Sequence, residues 1–189
     1  IEFLGECFES LEGRVDRTKF EYVKYEGQDQ TSDLTNCQFN IEVPLKFLKG
    51  DREIEKTVLV DVQIGDGKEY GVSLELKSER KNVASKARHG YFEDALIDMQ
   101  GQLSSNEKMK SCLSCKFSHY SPYGNGMFGG LYCFIKMKDR INEIQDKKSL
   151  FDIWALASKE NKVFNVQEIF DCEEHQFITN KDWNYSDWR

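Results

Sequence analysis

Three stretches between residues 37 and 76 alternate apolar and polar side chains, and this pattern constrains the fold more than any other. The apolar positions are Cys37, Phe39, Ile41, Val43, Leu45 and Phe47, then Val58, Val60, Val62 and Ile64, then Val72, Leu74 and Leu76. A period of two is that of a strand with one buried face. Asp66-Gly67, between the second and third stretches, is typical of a hairpin turn. The pattern therefore predicts an antiparallel β-meander with one apolar and one charged face.

The apolar face of such a sheet needs a covering layer, and the stretch 91–103 predicts a helix that supplies it. Phe92, Leu96, Met99 and Leu103 recur at spacings of four, three and four residues, which makes one helical stripe. Further along, the apolar patterns predict a strand at 131–135, one or two helices at about 139–159 and a last strand at 163–170. With a strand at 20–25, the sequence predicts an α+β fold, an antiparallel β-meander covered by helices.

Four cysteines in the second half of the chain have the spacing of a metal site. Cys112 and Cys115 form a C-x-x-C turn, Cys133 follows 18 residues after Cys115, and Cys172 lies on the closing segment. Zn²⁺ favours four thiolates in a tetrahedron, and a tight turn aims both sulfurs of a C-x-x-C at one ion. The sequence thus predicts a structural Zn²⁺ and a C-terminal zinc-braced subdomain. Four protein ligands leave no position for a reacting water.

Other interpretations of these cysteines stay open. An iron–sulfur cluster uses the same four thiolates. The C-x-x-C pair can instead form a disulfide or act in thiol redox chemistry, for example as a redox sensor. His119 can replace Cys172 as the fourth ligand. Plain burial of the thiols as small apolar groups is a further interpretation, and it is the one that we expect for Cys7 and Cys37.

The loop after the C-x-x-C turn carries polar side chains that can form a binding site. They are Ser118, His119, Tyr120, Tyr123 and Asn125. No G-x-S-x-G motif is present and no acid is positioned to orient the histidine, so we assign no catalytic residue and favour a protein without catalytic activity. The alternative is a hydrolytic or nucleotide-directed enzyme that uses residues 118–123. We expect His175, beside two glutamates, on a solvated surface.

The run Cys112-x-x-Cys115-x-x-Ser118-x-Tyr120-Ser-Pro-Tyr-Gly-Asn-Gly126 resembles a motif of a family of uncharacterised bacterial proteins. The resemblance covers roughly residues 91–177, including a Cys-Phe pair at Cys133 and a later cysteine, Cys172, among acidic and aromatic residues. It implies that the four cysteines form one set. It implies no activity, and the N-terminal meander has no counterpart in it.

The net charge of the chain indicates which classes of molecule it can bind. There are 33 acidic and 26 basic residues, a formal net charge of −7, and this balance disfavours nucleic acid because phosphate binding rests on Lys and Arg. No apolar run is long enough to span a membrane. An acidic surface suits a basic protein. We therefore expect a non-catalytic binding protein, and as one specific version a bacterial immunity or inhibitor protein that neutralises a basic toxin.

The length of 189 residues fits one domain with a small extension. We expect residues 1–104 to hold the sheet with its covering helix. Residues 105–189 would hold the cysteine-rich, metal-braced subdomain, packed as one unit with the first. A C-x-x-C turn favours a reducing compartment, so we expect a cytoplasmic location.

Overall fold

The computed structural model describes residues 2–3, 6–7, 21–24, 32–65, 70–77, 82–124, 128–184 and 188, with side chains described from residue 36 onward. In chain order, its strands and α-helices are β1 (Glu2–Phe3), β2 (Glu6–Cys7), β3 (Glu21–Lys24), β4 (Ser32–Thr35), β5 (Cys37–Lys49), β6 (Arg52–Ile64), β7 (Tyr70–Leu76), β8 (Val83–Ala84), α1 (Phe92–Gln102), β9 (Glu107–Lys110), β10 (Ser118–Tyr120), β11 (Leu131–Cys133), α2 (Lys147–Lys159) and β12 (Phe164–Val166). The mixed α+β class that the sequence predicts is confirmed. Within the described ranges, no helix is both long enough and apolar enough to cross a membrane.

Strands β5 to β9 form a five-stranded antiparallel sheet in the order β8-β7-β6-β5-β9. The register aligns Val43 with Val58 and Val58 with Leu76, so the apolar positions of three strands share one face. This confirms the predicted meander. The predicted turn at Asp66-Gly67 lies outside the described residues, although β6 and β7 pair on either side of it. The short strands β1 and β2 pair with each other, as do β3 and β4.

Helix α1 covers the apolar face of this sheet, as the sequence predicts. Phe92, Leu96 and Met99 have no solvent exposure and pack in one cluster with the inward-facing residues of the sheet. Removing an apolar side chain of this size from water contributes about 1.5–3 kcal/mol. The apolar stripe of α1 and the apolar face of the sheet therefore bury each other.

A second, smaller sheet has the order β10-β11-β12. The strand predicted at 131–135 is present as β11, but the last strand ends at Val166 because the chain turns there, with the Phe170 amide donating to the Gln167 carbonyl at 3.1 Å. Helix α2 begins with a capping box in which the Ser149 amide donates to Asp146 Oδ1 at 2.7 Å. Its apolar face packs on Phe134 in a second cluster.

The residues before and after position 104 contribute to the same sheet and to the same hydrophobic core. Strand β9 pairs with β5, with Phe47 opposite Met109, and so adds an edge to the large sheet. The core of that sheet also includes Leu131 and Val166 from the small sheet. The division into segments 1–104 and 105–189 stays a prediction, and so does the zinc brace.

Candidate metal centre and adjoining cavity

The C-x-x-C turn is a single 3₁₀ turn, Cys112–Ser114, closed by its own backbone. The Cys115 amide donates to the Cys112 carbonyl at 3.1 Å, and the Ser114 amide donates to the Ser111 carbonyl at 3.0 Å. The turn is docked on the chain that follows β12, because the Cys112 amide donates to the Phe170 carbonyl at 2.6 Å. Both cysteines are at most 4% exposed, so the turn presents its sulfurs inside the protein.

Backbone pairing brings the other two cysteines to this turn. Cys133 lies in β11 directly opposite Ser118 of β10, the strand that leaves the turn. Cys115 forms an isolated antiparallel bridge with Phe177, which places the nearby Cys172 segment beside the turn. Three segments that are distant in sequence therefore meet here.

The four thiols interact electrostatically. Burial raises the pKa of Cys112 far above its ordinary value, and the charges of Cys115, Cys133 and Cys172 raise it further. Burial likewise raises the pKa of Cys133 to about 11, with contributions from Cys115 and Cys172. Each ionised thiol thus destabilises the others, and a bound cation is the group that would offset this repulsion.

Backbone amides lie close to two of the sulfurs. Burial raises the pKa of Cys115, whereas the N–H groups of Gln176 and Phe117 act in the opposite direction. The Ile135 N–H does the same for Cys133. In both cases one donor follows its cysteine by two residues. Donors to ligand sulfurs orient and stabilise thiolates in metal sites, so the donor set fits a metal.

Ser118 adds a hydroxyl to this environment. Its side chain is 2% exposed, and in the described part of the chain its Oγ makes no hydrogen bond of regular geometry. It nevertheless lies close enough to the sulfurs of Cys112 and Cys115 to lower the pKa of both. The hydroxyl is therefore available as a donor to a thiolate.

His175 is the residue of this site that the sequence analysis missed. It was expected on a solvated surface, but its Nε2 lies 3.0 Å from Ser114 Oγ and 3.1 Å from the Ser111 carbonyl oxygen. Its ring also packs edge-on against Phe177 at 4.5 Å. His175 therefore holds the C-x-x-C turn against the Cys172 segment. Its position three residues after Cys172 was the only signal in the sequence.

The four cysteines are neighbours without forming a closed ligand shell. Among the residues that the structure describes, no group of three or more His, Cys, Asp or Glu side chains has the arrangement of a metal site. The five cysteines with described side chains are free thiols. Of the two cysteines expected to be simply buried, Cys37 is half-buried and the side chain of Cys7 lies outside the described set. The zinc ligand set stays a prediction.

The predicted binding loop does not converge on one point. Tyr120 is buried, and its hydroxyl donates to Glu168 Oε1 at 3.2 Å. Tyr123 is 77% exposed and touches Phe151 edge-on. Asn125 lies outside the described residues. These side chains therefore face different surroundings.

Ser118 and His119 also face different surroundings, because consecutive strand residues point to opposite faces. Ser118 lies against the cysteine sulfurs. The His119 ring stacks on Trp183 with centroids 6.0 Å apart and meets Phe134 edge-on at 5.9 Å. Burial lowers the pKa of His119 to about 4, with the charge of Asp182 acting in the opposite direction. The two residues do not form a nucleophile–base pair.

His119 instead lines a cavity of about 820 Å³ beside the cysteine cluster. Its walls come from Lys116, from residues 141, 142, 144 and 145 at the second 3₁₀ turn after β11, and from residues 176, 177 and 179–183. Most of the lining side chains are polar or charged. A cavity of this size can hold a small organic molecule.

A comparison with curated proteins found no match, and neither did one with solved structures. Residues 1–118 match a family described as "Family of unknown function (DUF6304)". The match confirms an uncharacterised family, and it includes the meander, for which the earlier resemblance had no counterpart. It ends at Ser118, so it spans Cys112 and Cys115 but not the other two cysteines of the set. The chain belongs to this family of unknown function.

Proposed function

We propose that this chain is a non-catalytic binding protein whose second half is braced by a structural Zn²⁺ on Cys112, Cys115, Cys133 and Cys172. The observation that carries the proposal is the meeting of these cysteines, from three distant segments, in one largely buried cluster. Four clustered thiols are poorly compatible as separate ionised groups, whereas a divalent cation turns their repulsion into ligation. A closed Cys₄ zinc supplies a cross-link and no reaction.

The neighbouring groups support this role. The Phe117 and Ile135 amides and the Ser118 hydroxyl would donate to the ligand sulfurs. His175 would hold the C-x-x-C turn in place through Ser114. Such partners fix ligand orientation and are part of what makes a metal site tight.

Metal analysis of the full chain purified without added chelator tests the brace. We expect one Zn²⁺ per chain and a lower melting temperature after chelation. A brown protein with iron and sulfide would replace zinc by an iron–sulfur cluster. A metal-free chain that melts at the same temperature with and without chelator would overturn the proposal.

The binding role rests on charge. The first 35 residues contain nine acidic and four basic residues, which accounts for five of the seven net negative charges. The open face of the large sheet is balanced instead: Glu53 lies 3.3 Å from Lys46 and 2.6 Å from Lys110, and Lys77 pairs with Glu42 at 3.2 Å. This contrast favours the N-terminal segment as the surface for a basic partner, the immunity or inhibitor role being the specific version.

Capture of basic toxin candidates on the immobilised chain tests this part. We expect one such protein to be retained at low salt and released as salt rises, because steering between opposite charges is screened. A variant with Glu9→Gln, Glu12→Gln and Asp16→Asn should lose it, whereas Glu55→Gln on the sheet should keep it. If no basic protein is retained under mild conditions, the immunity role is wrong, whatever the metal content.

Two other functions are less well supported. A thiol redox sensor needs an accessible, readily ionised cysteine, but Cys112 and Cys115 are buried with raised pKa values. An enzyme built on the 118–123 loop needs Ser118 and His119 on the same side of β10. The cavity beside His119 is the remaining feature that points to a small ligand.

A further inference from the structure

The cavity beside the cysteine cluster has a ring-lined wall. His119 is 2% exposed and stacks on Trp183 at an interplanar angle of 25°. Both residues line the cavity, together with the ring of Phe177. Flat apolar surfaces on a cavity wall suit a flat ligand ring, which can pack there without losing much conformational freedom.

His119 also has unused hydrogen-bonding capacity. Its Nδ1 is buried and has no hydrogen-bond partner in the part of the chain that the structure describes. A buried polar atom without a partner costs about 1–3 kcal/mol, and such atoms in a folded protein call for an explanation. Because this atom has almost no accessible surface, a ligand reaches it only if the His119 ring turns.

The charges on the cavity wall favour an anion. Lys116 and Lys181 both line it, and within the described ranges neither ammonium group has a carboxylate at ion-pair distance. Asp182 also lines the cavity, but its Oδ2 already accepts from the Thr179 amide at 2.7 Å and from the Thr179 hydroxyl at 2.6 Å. The Lys116 Nζ lies 5.1 Å from the centroid of the Phe117 ring. Among the described residues, Lys181 is therefore the cation of this wall with neither an ion pair nor a ring contact.

Amide side chains complete the lining. They are Asn142, Gln145, Gln176 and Asn180. Each amide offers both a donor and an acceptor. The edge of a heteroaromatic ring also carries donors and acceptors, whereas the edge of a hydrocarbon ring carries neither. Rings, amides and cations therefore occur around one space.

We propose that this cavity is a binding site for a small anion that carries a flat heteroaromatic ring, of the class of the nucleoside monophosphates. The phosphate binds beside Lys116 and Lys181, the base lies against the His119–Trp183 wall, and the amides contact the edge of the base. The site lies outside the four cysteines and does not depend on which metal, if any, they hold.

Calorimetric titration of the full chain, as purified, tests the site. The probes are the four common ribonucleoside monophosphates, their nucleosides and inorganic phosphate. We expect one-to-one saturation by at least one monophosphate, with its nucleoside and phosphate each binding at least about tenfold more weakly. No saturation by any monophosphate up to about 5 mM, which lies beyond the range of weak binding, would overturn the proposal.

Variants locate the binding. Lys181→Gln and Trp183→Leu should each weaken monophosphate binding about tenfold or more, whereas Lys49→Gln, an exposed lysine that does not line the cavity, should leave it unchanged. Binding that survives both cavity variants would place the ligand elsewhere and overturn the assignment. If Trp183→Leu fails to fold, Lys181→Gln decides alone. Inorganic phosphate binding as tightly as every monophosphate would also overturn it, because the ring would then contribute nothing.

Discussion

The large sheet and the cysteine region are held together by different means. The sheet has long paired strands, β5 and β6 running antiparallel over 13 residues each, and a covering helix that buries Phe92, Leu96 and Met99 completely. The cysteine region has three strands of three residues each, with two 3₁₀ turns and helix α2 between β11 and β12. Its backbone is joined at isolated points, such as the bridge between Cys115 and Phe177.

This difference shows where extra stabilisation is needed. Burial of regular apolar faces accounts for the sheet, since each strand and α1 add to one core. Short strands and single turns form fewer consecutive backbone hydrogen bonds than long strands do. Their arrangement therefore depends more on cross-links between segments that are distant in sequence. A metal held by four cysteines is such a cross-link.

Replacing a proposed ligand should have the largest effect. Cys133→Ser removes a thiolate from the centre of the cluster, and we expect loss of stoichiometric zinc and of several kcal/mol of unfolding free energy, since structural zinc binding is worth about 10–16 kcal/mol in small domains. Zinc content and urea unfolding measure this. Cys37→Ser, at a half-buried thiol outside the cluster, is the matched control. Equal zinc and equal stability in both variants would contradict the brace.

Truncation in the sheet core should act on stability alone. Leu96→Ala removes a side chain with no solvent exposure, and large-to-small changes of this kind cost about 2–5 kcal/mol. We expect a lower urea midpoint with unchanged zinc content under native conditions. Asp94→Ala, on the exposed side of the same helix, should change the midpoint little. Zinc loss in Leu96→Ala without global unfolding would show that the core shared by Leu96, Cys112 and Cys133 couples the sheet to the metal centre.

The same contrast explains what could be predicted from sequence. Alternation over residues 37–76 reports a regular half-buried sheet, so strands β5, β6 and β7, their shared face and the covering helix follow from local spacing. The short strands β8 and β9 at the two edges of this sheet carry no such pattern and were not predicted. The apolar stripe of α1 works in the same way. In both patterns the same requirement, that one face be buried, recurs at every second, third or fourth residue. Such a pattern can be recognised in the sequence without knowledge of the tertiary structure.

The residues of the candidate site follow no regular spacing in the sequence. His175 reaches Ser114 only because the chain after β12 returns to the C-x-x-C turn, and no local spacing records that return. His119 lies in a loop by sequence but in a buried strand by structure. The C-x-x-C spacing pointed to the correct region, whereas the cavity wall at Trp183 came from a tail that carried no recognisable motif.

The burial of the His119 imidazole should make the unfolding free energy depend on pH. The pKa of His119 is lowered to about 4 in the folded chain, from an ordinary value of 6.5. The unfolded chain therefore binds more protons between these values, and the unfolding free energy falls as the pH drops, by about 2 kcal/mol between pH 7 and pH 5. Urea unfolding of wild type and His119→Gln at both pH values measures the difference. An equal pH dependence in the two proteins would show that His119 is not buried as a neutral base.

The smallest expected effect concerns the ionic link between the two regions. Asp171, next to Cys172, lies 2.9 Å from Lys46 of β5 and 3.4 Å from Lys110 of β9. We expect Asp171→Asn to lower the melting temperature less than Leu96→Ala does. We also expect the difference from wild type to shrink in high salt, because Lys46 is 40% exposed and ion pairs that reach the surface are weak and screened.

The matched control for this link is Glu174→Gln, which breaks an ion pair with Lys138 whose two side chains are more than half exposed. It should melt like wild type at every salt concentration, because neither partner joins the two regions. If Asp171→Asn also melts like wild type at low salt, the ion pairs contribute nothing and the regions are joined by β9 and the shared core alone. If instead it loses zinc, the link positions Cys172 and belongs to the metal centre.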